Sequence, residues 1–370
     1  MIRLLIQHPH GDELSGVKTY VSNLTDVLLL RGGVEVRVVS TRSDALLVRL
    51  AAARWADHVH LNSNDLALAL YARFRGKPVS IKYHWPFWLS TKDVYHPLPW
   101  RKRIRREMAY LFRRYWDWRR PAKYPVAIAR MVLRLAVFRI VSYRLACSQF
   151  TADAVDRPGW VKAVPNPMAI DLIEQDALVR RPAAVPTFVF AGRLVPEKGA
   201  GALIEACARL AALNLSFNTR IFGSGPEEQH LRHMIIEFGL EGIVKLEGRV
   251  SAGEVAKALS AATALVFPID WEDPAPYPPL EAAAQGVVTI GARAGGLPET
   301  AGPHALLYDR GDLTALVAAM HSCIADPAAA FARGQRAREF AVTRYAPEVA
   351  LEAFDAAVSL GLSSRQDADA

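Results

Sequence analysis

Cysteine is scarce in this 370-residue chain: Cys147, Cys207 and Cys323 lie far apart and without metal-ligand spacing. That usage excludes a disulfide framework and a cysteine-built zinc site, and fits a reducing cytosol. Long apolar runs are missing too. No stretch reaches the roughly 18 uncharged residues a spanning helix needs, so no transmembrane segment is expected. The opening MIRLLIQHPHGDE has too short an apolar run and too little preceding charge to read as a signal peptide. Several chemistries lack their signatures. G-x-G-x-x-G, the Walker loop and G-x-S-x-G are all absent, which disfavours a nicotinamide dehydrogenase, a P-loop enzyme and a serine hydrolase. His58 and His60 alternate along one strand with no further ligand nearby, and a D-x-D pair occurs only in the terminal QDADA, so no metal site is expected. Repeats of 20 to 50 residues are absent as well.

What is present is an ordinary globular composition, 51% hydrophobic and 22% charged, long enough for two cores. Its net charge of +8 comes from one segment. Between Arg101 and Arg144 stand 14 lysines and arginines against Glu107 and Asp117, a net +12 that leaves −4 for the other 326 residues. Trp100, Tyr110, Phe112, Tyr115, Trp116 and Trp118 are set among those arginines. Basic-aromatic stretches of this kind lie on anionic membrane surfaces. Nucleic acid and a merely solvated helical face are the competing readings.

Strands and helices alternate along the whole chain. In the first half IRLLIQ, VEVRVVS, DHVHLN and PVSIKYH read as strands, with helices near Gly16–Leu30 and from Asp65. The basic segment interrupts the alternation, and YRLACS and GWVKAVPN resume it. The second half restarts with TFVFAG and continues through TRIFG, IVKLEG, ATALVF and VVTIG, each followed by a helix. Such spacing implies right-handed βαβ units and parallel sheets. The fold class expected is α/β, with two doubly wound Rossmann-like domains over residues 1–168 and 169–345. The boundary falls within residues 166–186, a helix over about 346–362 packs back on the first domain, and the tail SSRQDADA is expected to be disordered.

In such sheets ligands bind beyond the carboxyl ends of strands, and the polar residues there are the candidates. WEDPAPYPPLEAAAQG, residues 271–286, sets Asp273 and Glu281 on either side of a proline-rich bridge. Pro278 and Pro279 suit a first helical turn and Gly286 a helix end. The plain alternative is structural: Asp273 as an N-cap and Glu281 as a first-turn acid complementing the helix dipole. FAGRLVPEKG places Arg193 at a strand end and Lys198 at the next helix start. A lysine there opposes the dipole, whereas a phosphate shared by Arg193, Lys198 and the helix N–H groups would satisfy all three. Gly223 and Gly225 in FGSGP, Gly295 and Gly296 in ARAGGLPE, and Gly16 in SGVKTY permit close backbone approach at further strand-to-helix turns. His84 ends the fourth strand.

Taken together, these motifs resemble the retaining glycosyltransferases of glycosyltransferase family 4, with the GT-B fold of two Rossmann-like domains facing a central cleft. The likeness spans nearly the whole chain and is strongest from Thr187 to Tyr308. Arg193 and Lys198 look like that family's diphosphate-binding pair, FGSGP like its glycine turn, and Asp273-x7-Glu281 like its paired-acid motif. VPNP and SGVKTYVSNL also fall in place. The first acid is usually Glu, and Pro274 and Pro276 remove two N–H donors, leaving Ala275 and Tyr277.

The resemblance implies a metal-independent retaining hexosyltransferase without a cofactor. It would move a hexose from a nucleotide diphosphate sugar to a hydroxyl of a saccharide or lipid-linked acceptor, in cell-surface polysaccharide or glycolipid synthesis. Glu281 would then hold the nucleotide ribose and Asp273 the hexose hydroxyls. The N–H groups of Ala275 and Tyr277 would face sugar and phosphates, His84 would lie near the donor sugar, and Gly16 and Gly223 would let the backbone approach the diphosphate. The expected location is cytoplasmic, peripheral on the inner face of the cell membrane through residues 100–144, with no nucleic-acid partner. The alternatives are a non-catalytic nucleotide-sugar-binding membrane module, against which intact Arg193, Lys198 and Glu281 argue, and a nucleotide-sugar epimerase, whose further carboxylates are not found.

Overall fold

The structure is a computed structural model that describes residues 1–11, 15–85, 100–117, 119–154, 159–169 and 184–359. Trp118, most of the expected boundary segment and the expected disordered tail lie outside the described residues. The chain divides into two compact units, Met1–Pro167 with the C-terminal helix, and Met168–Ala346.

The first unit runs β1 (Ile2–His8), α1 (Gly16–Arg31), β2 (Val34–Ser40), α2 (Leu46–Trp55), β3 (His58–Leu61), α3 (Leu66–Phe74) and β4 (Val79–Tyr83). It continues with α4 (Trp100–Tyr115), α5 (Lys123–Ile140), β5 (Tyr143–Ala146), α6 (Gln149–Asp153) and β6 (Lys162–Ala163). All six strands are parallel, in the order β2-β1-β3-β4-β5-β6. Every residue of β3 and β4 is buried, as in a parallel sheet covered on both faces. Helix α1 turns Tyr20, Leu24, Val27 and Leu28 inward at helical spacing, and the C-terminal helix (Pro347–Val358) completes this unit with Leu351 and Phe354 buried. The basic segment, read in the sequence as an interruption, is two helices, α4 and α5, packed through Leu111, Ala127 and Met131.

The second unit runs β7 (Thr187–Ala191), a 3-10 turn (Pro196–Lys198), α7 (Ala200–Ala211), β8 (Asn218–Phe222), α8 (Glu228–Glu237), β9 (Val244–Gly248) and α9 (Ala252–Ser260). Then come β10 (Ala264–Phe267), α10 (Tyr277–Ala284), β11 (Val288–Ala292), α11 (Leu297–Ala301), β12 (Leu306–Tyr308), α12 (Leu313–Ala325) and α13 (Pro327–Tyr345). Its parallel sheet has the order β12-β11-β10-β7-β8-β9, which is the Rossmann strand order. Phe188, Phe190, Ile204, Ile221, Leu265, Phe267, Val288 and Ile290 fill its core. The two ends of this unit meet: Met168 N donates to Tyr345 O at 3.0 Å. Among the described residues no single helix is long and apolar enough to cross a membrane.

Candidate functional site

Strand order reverses between β7 and β10 in the second unit, so the loops after those two strands diverge and leave a crevice between them. Sequence neighbours of β7 supply Arg193 and Lys198, and those of β10 supply Asp273. The structure brings two of the three together. Lys198 Nζ donates to Asp273 Oδ2 at 2.7 Å, with both side chains largely covered. The same ammonium lies over the faces of Phe267 at 5.4 Å and Trp271 at 5.8 Å. Arg193 is exposed, and no side chain among the described residues pairs with it.

The structural alternative for the two acids is overturned. Asp273 is not an N-cap: α10 is preceded by Pro276, which offers no side-chain bond, and Asp273 pairs with Lys198. Glu281 is the fifth residue of that helix, past its first turn, because Tyr277 opens it with Pro278 and Pro279 behind. Glu281 is half-buried, as are Ala275 and Tyr277 on either side of the capping proline. Helix α10 ends as expected. Gly286 is left-handed with φ 68°, its N–H reaches Ala283 O, and that of Val287 reaches Ala282 O.

Lys198 is not the start of a helix but the end of the 3-10 turn. Helix α7 begins at Ala200, capped by Gly199 at φ 78° with no side-chain bond. A Cβ on Gly199 would lie 1.9 Å from Pro268 O, so no capping serine or aspartate fits there. Among the described residues the N-terminal N–H groups of α7 receive no capping side chain.

The other glycines hold the loops rather than a helix end. At Gly223, with φ 139°, a Cβ would sit 1.8 Å from Gly192 O, and its N–H is taken by Gly248 O. What it can offer a ligand is only the absence of a side chain. Gly295 packs against Asp273 in the same way, with a Cβ 2.2 Å from Asp273 O, while Gly296 N donates to that oxygen at 2.8 Å. Sequence reasoning missed Glu272, whose Oε2 accepts from Gly295 N at 2.5 Å and whose Oε1 meets Arg310 at 3.3 Å. Glu272 and Asp273 thus lash the loop after β10 to the loops after β11 and β12.

In the first unit the reversal lies between β1 and β3. Here an asparagine and a histidine stand beside a buried lysine. His84 Nε2 lies 2.8 Å from Asn62 Oδ1, and its ring is 4.7 Å from that of Tyr20. Burial, and then the neighbouring Lys82 and His10, hold the His84 imidazole far below the usual histidine range. Lys82 is itself buried on β4, donates to Pro165 O at 3.3 Å and lies 4.0 Å over the Tyr20 ring; burial pushes its ammonium down to about 7. Gly16 opens α1, whose N-terminus is already capped: Ser15 accepts from Lys18 N at 3.2 Å. His8, which sequence reasoning also missed, is buried at the end of β1 with an Nδ1 that has no partner among the described residues. Among the described residues no three His, Cys, Asp or Glu side chains converge to hold a metal.

Residues 174–340 match the family model described as glycosyl transferases group 1. The chain is 27% identical over 299 residues to the 2-deoxystreptamine glucosyltransferase of Streptomyces kanamyceticus, covering 78% of this chain and 73% of that one. It is 32% identical over 148 residues to WcaL of Salmonella typhimurium, named as a colanic acid biosynthesis glycosyltransferase, covering 38% of this chain and 36% of WcaL. The chain thus spans about a third of the length of the first curated relatives it matches. Among solved structures, HepE of Anabaena in complex with UDP superposes with a TM-score of 0.71 at 17% identity, over 97% of this chain and 100% of HepE. At that identity the likeness shows the fold.

Proposed function

Taking as premise a chain with the GT-B fold and a glycosyl transferases group 1 domain over residues 174–340, we propose that this protein is a retaining hexosyltransferase that uses a nucleotide diphosphate sugar. The observation that carries the reading is the strand-order reversal of the second unit, where an exposed Arg193 and a helix without a side-chain cap adjoin the Lys198–Asp273 pair. An oxyanion that develops on a departing diphosphate is stabilised by preorganised cations and helix N–H groups. Arg193, Lys198 and the start of α7 supply that charge, so the proposed reaction needs no metal ion. Asp273, fixed by Lys198 and the Gly295–Gly296 turn, takes hexose hydroxyls, Glu281 takes the ribose, and His84 is assigned to the transferred hexose. The acceptor oxygen attacks the anomeric carbon on the face the diphosphate leaves. One C–O bond forms as the other breaks, and the hydroxyl proton passes to the leaving diphosphate.

For the acceptor we propose a saccharide or lipid-linked hydroxyl; the relative named for colanic acid biosynthesis supports the saccharide. For the site of action we propose an anionic membrane surface on the cytoplasmic side, met by α4 and α5. Arg101, Lys102, Arg105 and Arg113 are exposed there beside Phe112 and Trp116. Each basic residue near such a surface contributes about 1 kcal/mol. Reversing those four to Glu abolishes sedimentation with phosphatidylserine vesicles; unaltered sedimentation removes the membrane from the proposal.

The reaction itself is tested with a panel of nucleotide sugars, UDP-glucose and GDP-mannose among them, in excess EDTA. One donor should raise the melting temperature and release its nucleoside diphosphate, and NMR of the product should show the donor's anomeric configuration. An inverted product, or activity that EDTA removes and magnesium restores, overturns the corresponding part.

A further inference from the structure

We infer that Asn62 is a positioning residue that fixes His84 in its Nε2–H tautomer, so that the ring presents an unprotonated Nδ1. The inference follows from hydrogen bonds whose polarity has no freedom. Asn62 Nδ2 donates to the backbone carbonyl of Gln7 at 3.0 Å. A carbonyl only accepts, so the amide of Asn62 must point its nitrogen at Gln7 and its oxygen at His84. That oxygen also only accepts, hence the proton at 2.8 Å belongs to His84 Nε2. The orientation is held from behind in the same way. Gln7 Oε1 accepts from Asn62 N at 3.2 Å, which leaves Gln7 Nε2 to donate to Thr41 Oγ1 at 2.5 Å and Ser63 Oγ at 2.7 Å. Thr41 Oγ1 then donates to Asp65 Oδ2 at 3.4 Å, and Asp65 is locked by its buried pair with Arg49.

This chain runs along the carboxyl ends of β1, β3 and β4, at the strand-order reversal of the first unit, where an α/β sheet binds ligands. Among the described residues four titratable groups face the imidazole: Lys82 on β4, His10 after β1, Tyr20 on α1 and His60 on β3, whose Nε2 lies 3.2 Å from Tyr20 Oη. None of these four is an anion at neutral pH, so none of them favours the imidazolium. A neutral ring with its donor already spent on Asn62 is a hydrogen-bond acceptor. On the proposed function, from which this clause takes its substrate, the group it accepts from is a hydroxyl of the donor hexose.

Nitrogen-15 NMR on protein labelled at its ten histidines, with His84 assigned by comparison with His84→Gln, reads the tautomer without any substrate. The expected signature at pH 7 is a pyrrole-type Nε2 and a pyridine-type Nδ1. In Asn62→Ala the signal should become a mixture of tautomers. In Asn62→Asp, which keeps the acceptor and also covers the case in which the alanine variant fails to fold, the Nε2 proton should stay and the His84 pKa should rise. With the donor that the panel identifies, kcat should fall about tenfold or more in Asn62→Ala, with KM for the donor within about twofold of wild type. An Nδ1–H ring in the wild type, or an unchanged Nε2–H signature in Asn62→Ala, overturns the assignment. An Nε2–H ring in a protein that transfers no sugar keeps the assignment and overturns the reaction instead.

Discussion

At the strand-order reversal of the second unit stand two cations and a carboxylate, one arginine exposed and one lysine paired. At that of the first unit stand a glutamine, an asparagine and a neutral histidine, joined by hydrogen bonds of fixed direction. The helices that follow differ in the same sense. Helix α1 is closed by Ser15, whereas α7 begins at a glycine that no capping side chain can replace. Two doubly wound parallel sheets of different strand order carry two electrostatic characters at their reversals. A charged, open reversal suits a diphosphate, whose negative charge grows as it leaves. A neutral one suits hydroxyl groups, which are selected by unpaired donors and acceptors rather than by charge.

Lys198→Ala strikes the charged side hardest. Losing one preorganised donor to a developing oxyanion costs about 10²–10³ in kcat. The variant should show that loss in sugar transfer, and a turnover within threefold of wild type would remove Lys198 from the chemistry. In the first unit the largest effect is on stability. Lys82 has a folded pKa near 7 against 10.5 for the free side chain, so between those values the unfolded chain binds the extra proton. Stability therefore rises with pH above 7, by about 2 kcal/mol from pH 7 to 9, and is at its lowest below 7, where the ammonium is buried. Denaturation curves of Lys82→Met should lack this rise. The same rise in the variant would show that Lys82 is not its source.

Smaller effects sharpen the contrast. Glu281→Ala should weaken donor binding by about 1.5–3 kcal/mol, roughly tenfold to over a hundredfold, as read by titration calorimetry. Asp273→Asn should leave the affinity for the bare nucleoside diphosphate nearly unchanged while turnover falls, since the role proposed for it lies with the hexose. If both variants behave like wild type, the two acids only shape a loop. Ser15→Ala is the least of these, about 1 kcal/mol of stability for a lost cap, with unchanged affinity for the nucleoside diphosphate. A marked loss of that affinity would mean that the closed helix end of the first unit also holds the anion.

The alternation of strands and helices was legible because each segment carries its own period. Arg193, Lys198, Asp273 and Glu281 could be picked out as candidates because they follow strands in the chain itself. Partnership was not legible. Lys198 and Asp273 are 75 residues apart, and Gln7 and Asn62 are 55 apart; only the strand order decides which loops become neighbours. The helix start after β7 was misplaced, since Gly199 rather than Lys198 precedes α7, whereas Pro278 and Pro279 do stand in the first turn of α10. Lys82 within VSIKY gave no sign of burial, because a lysine on an exposed edge strand reads the same as one in the middle of a covered sheet. The basic segment announced its charge but not its two helices, since arginines on a helical face obscure the apolar spacing that Leu111 and Met131 provide.

Met168 N and Tyr345 O, 3.0 Å apart, mark the places where the polypeptide enters and leaves the second unit. A region whose two ends are one hydrogen bond apart behaves as a cassette. It can be lifted out at that junction without stretching its backbone, and its own core, centred on Phe188, Phe190, Leu265 and Ile290, leaves with it. The rest of the chain would need only a short bridge to rejoin Pro167 to Pro347. Exchange of such cassettes between chains changes what is carried in one half without redesigning the other, which gives this architecture a modular route to new pairings.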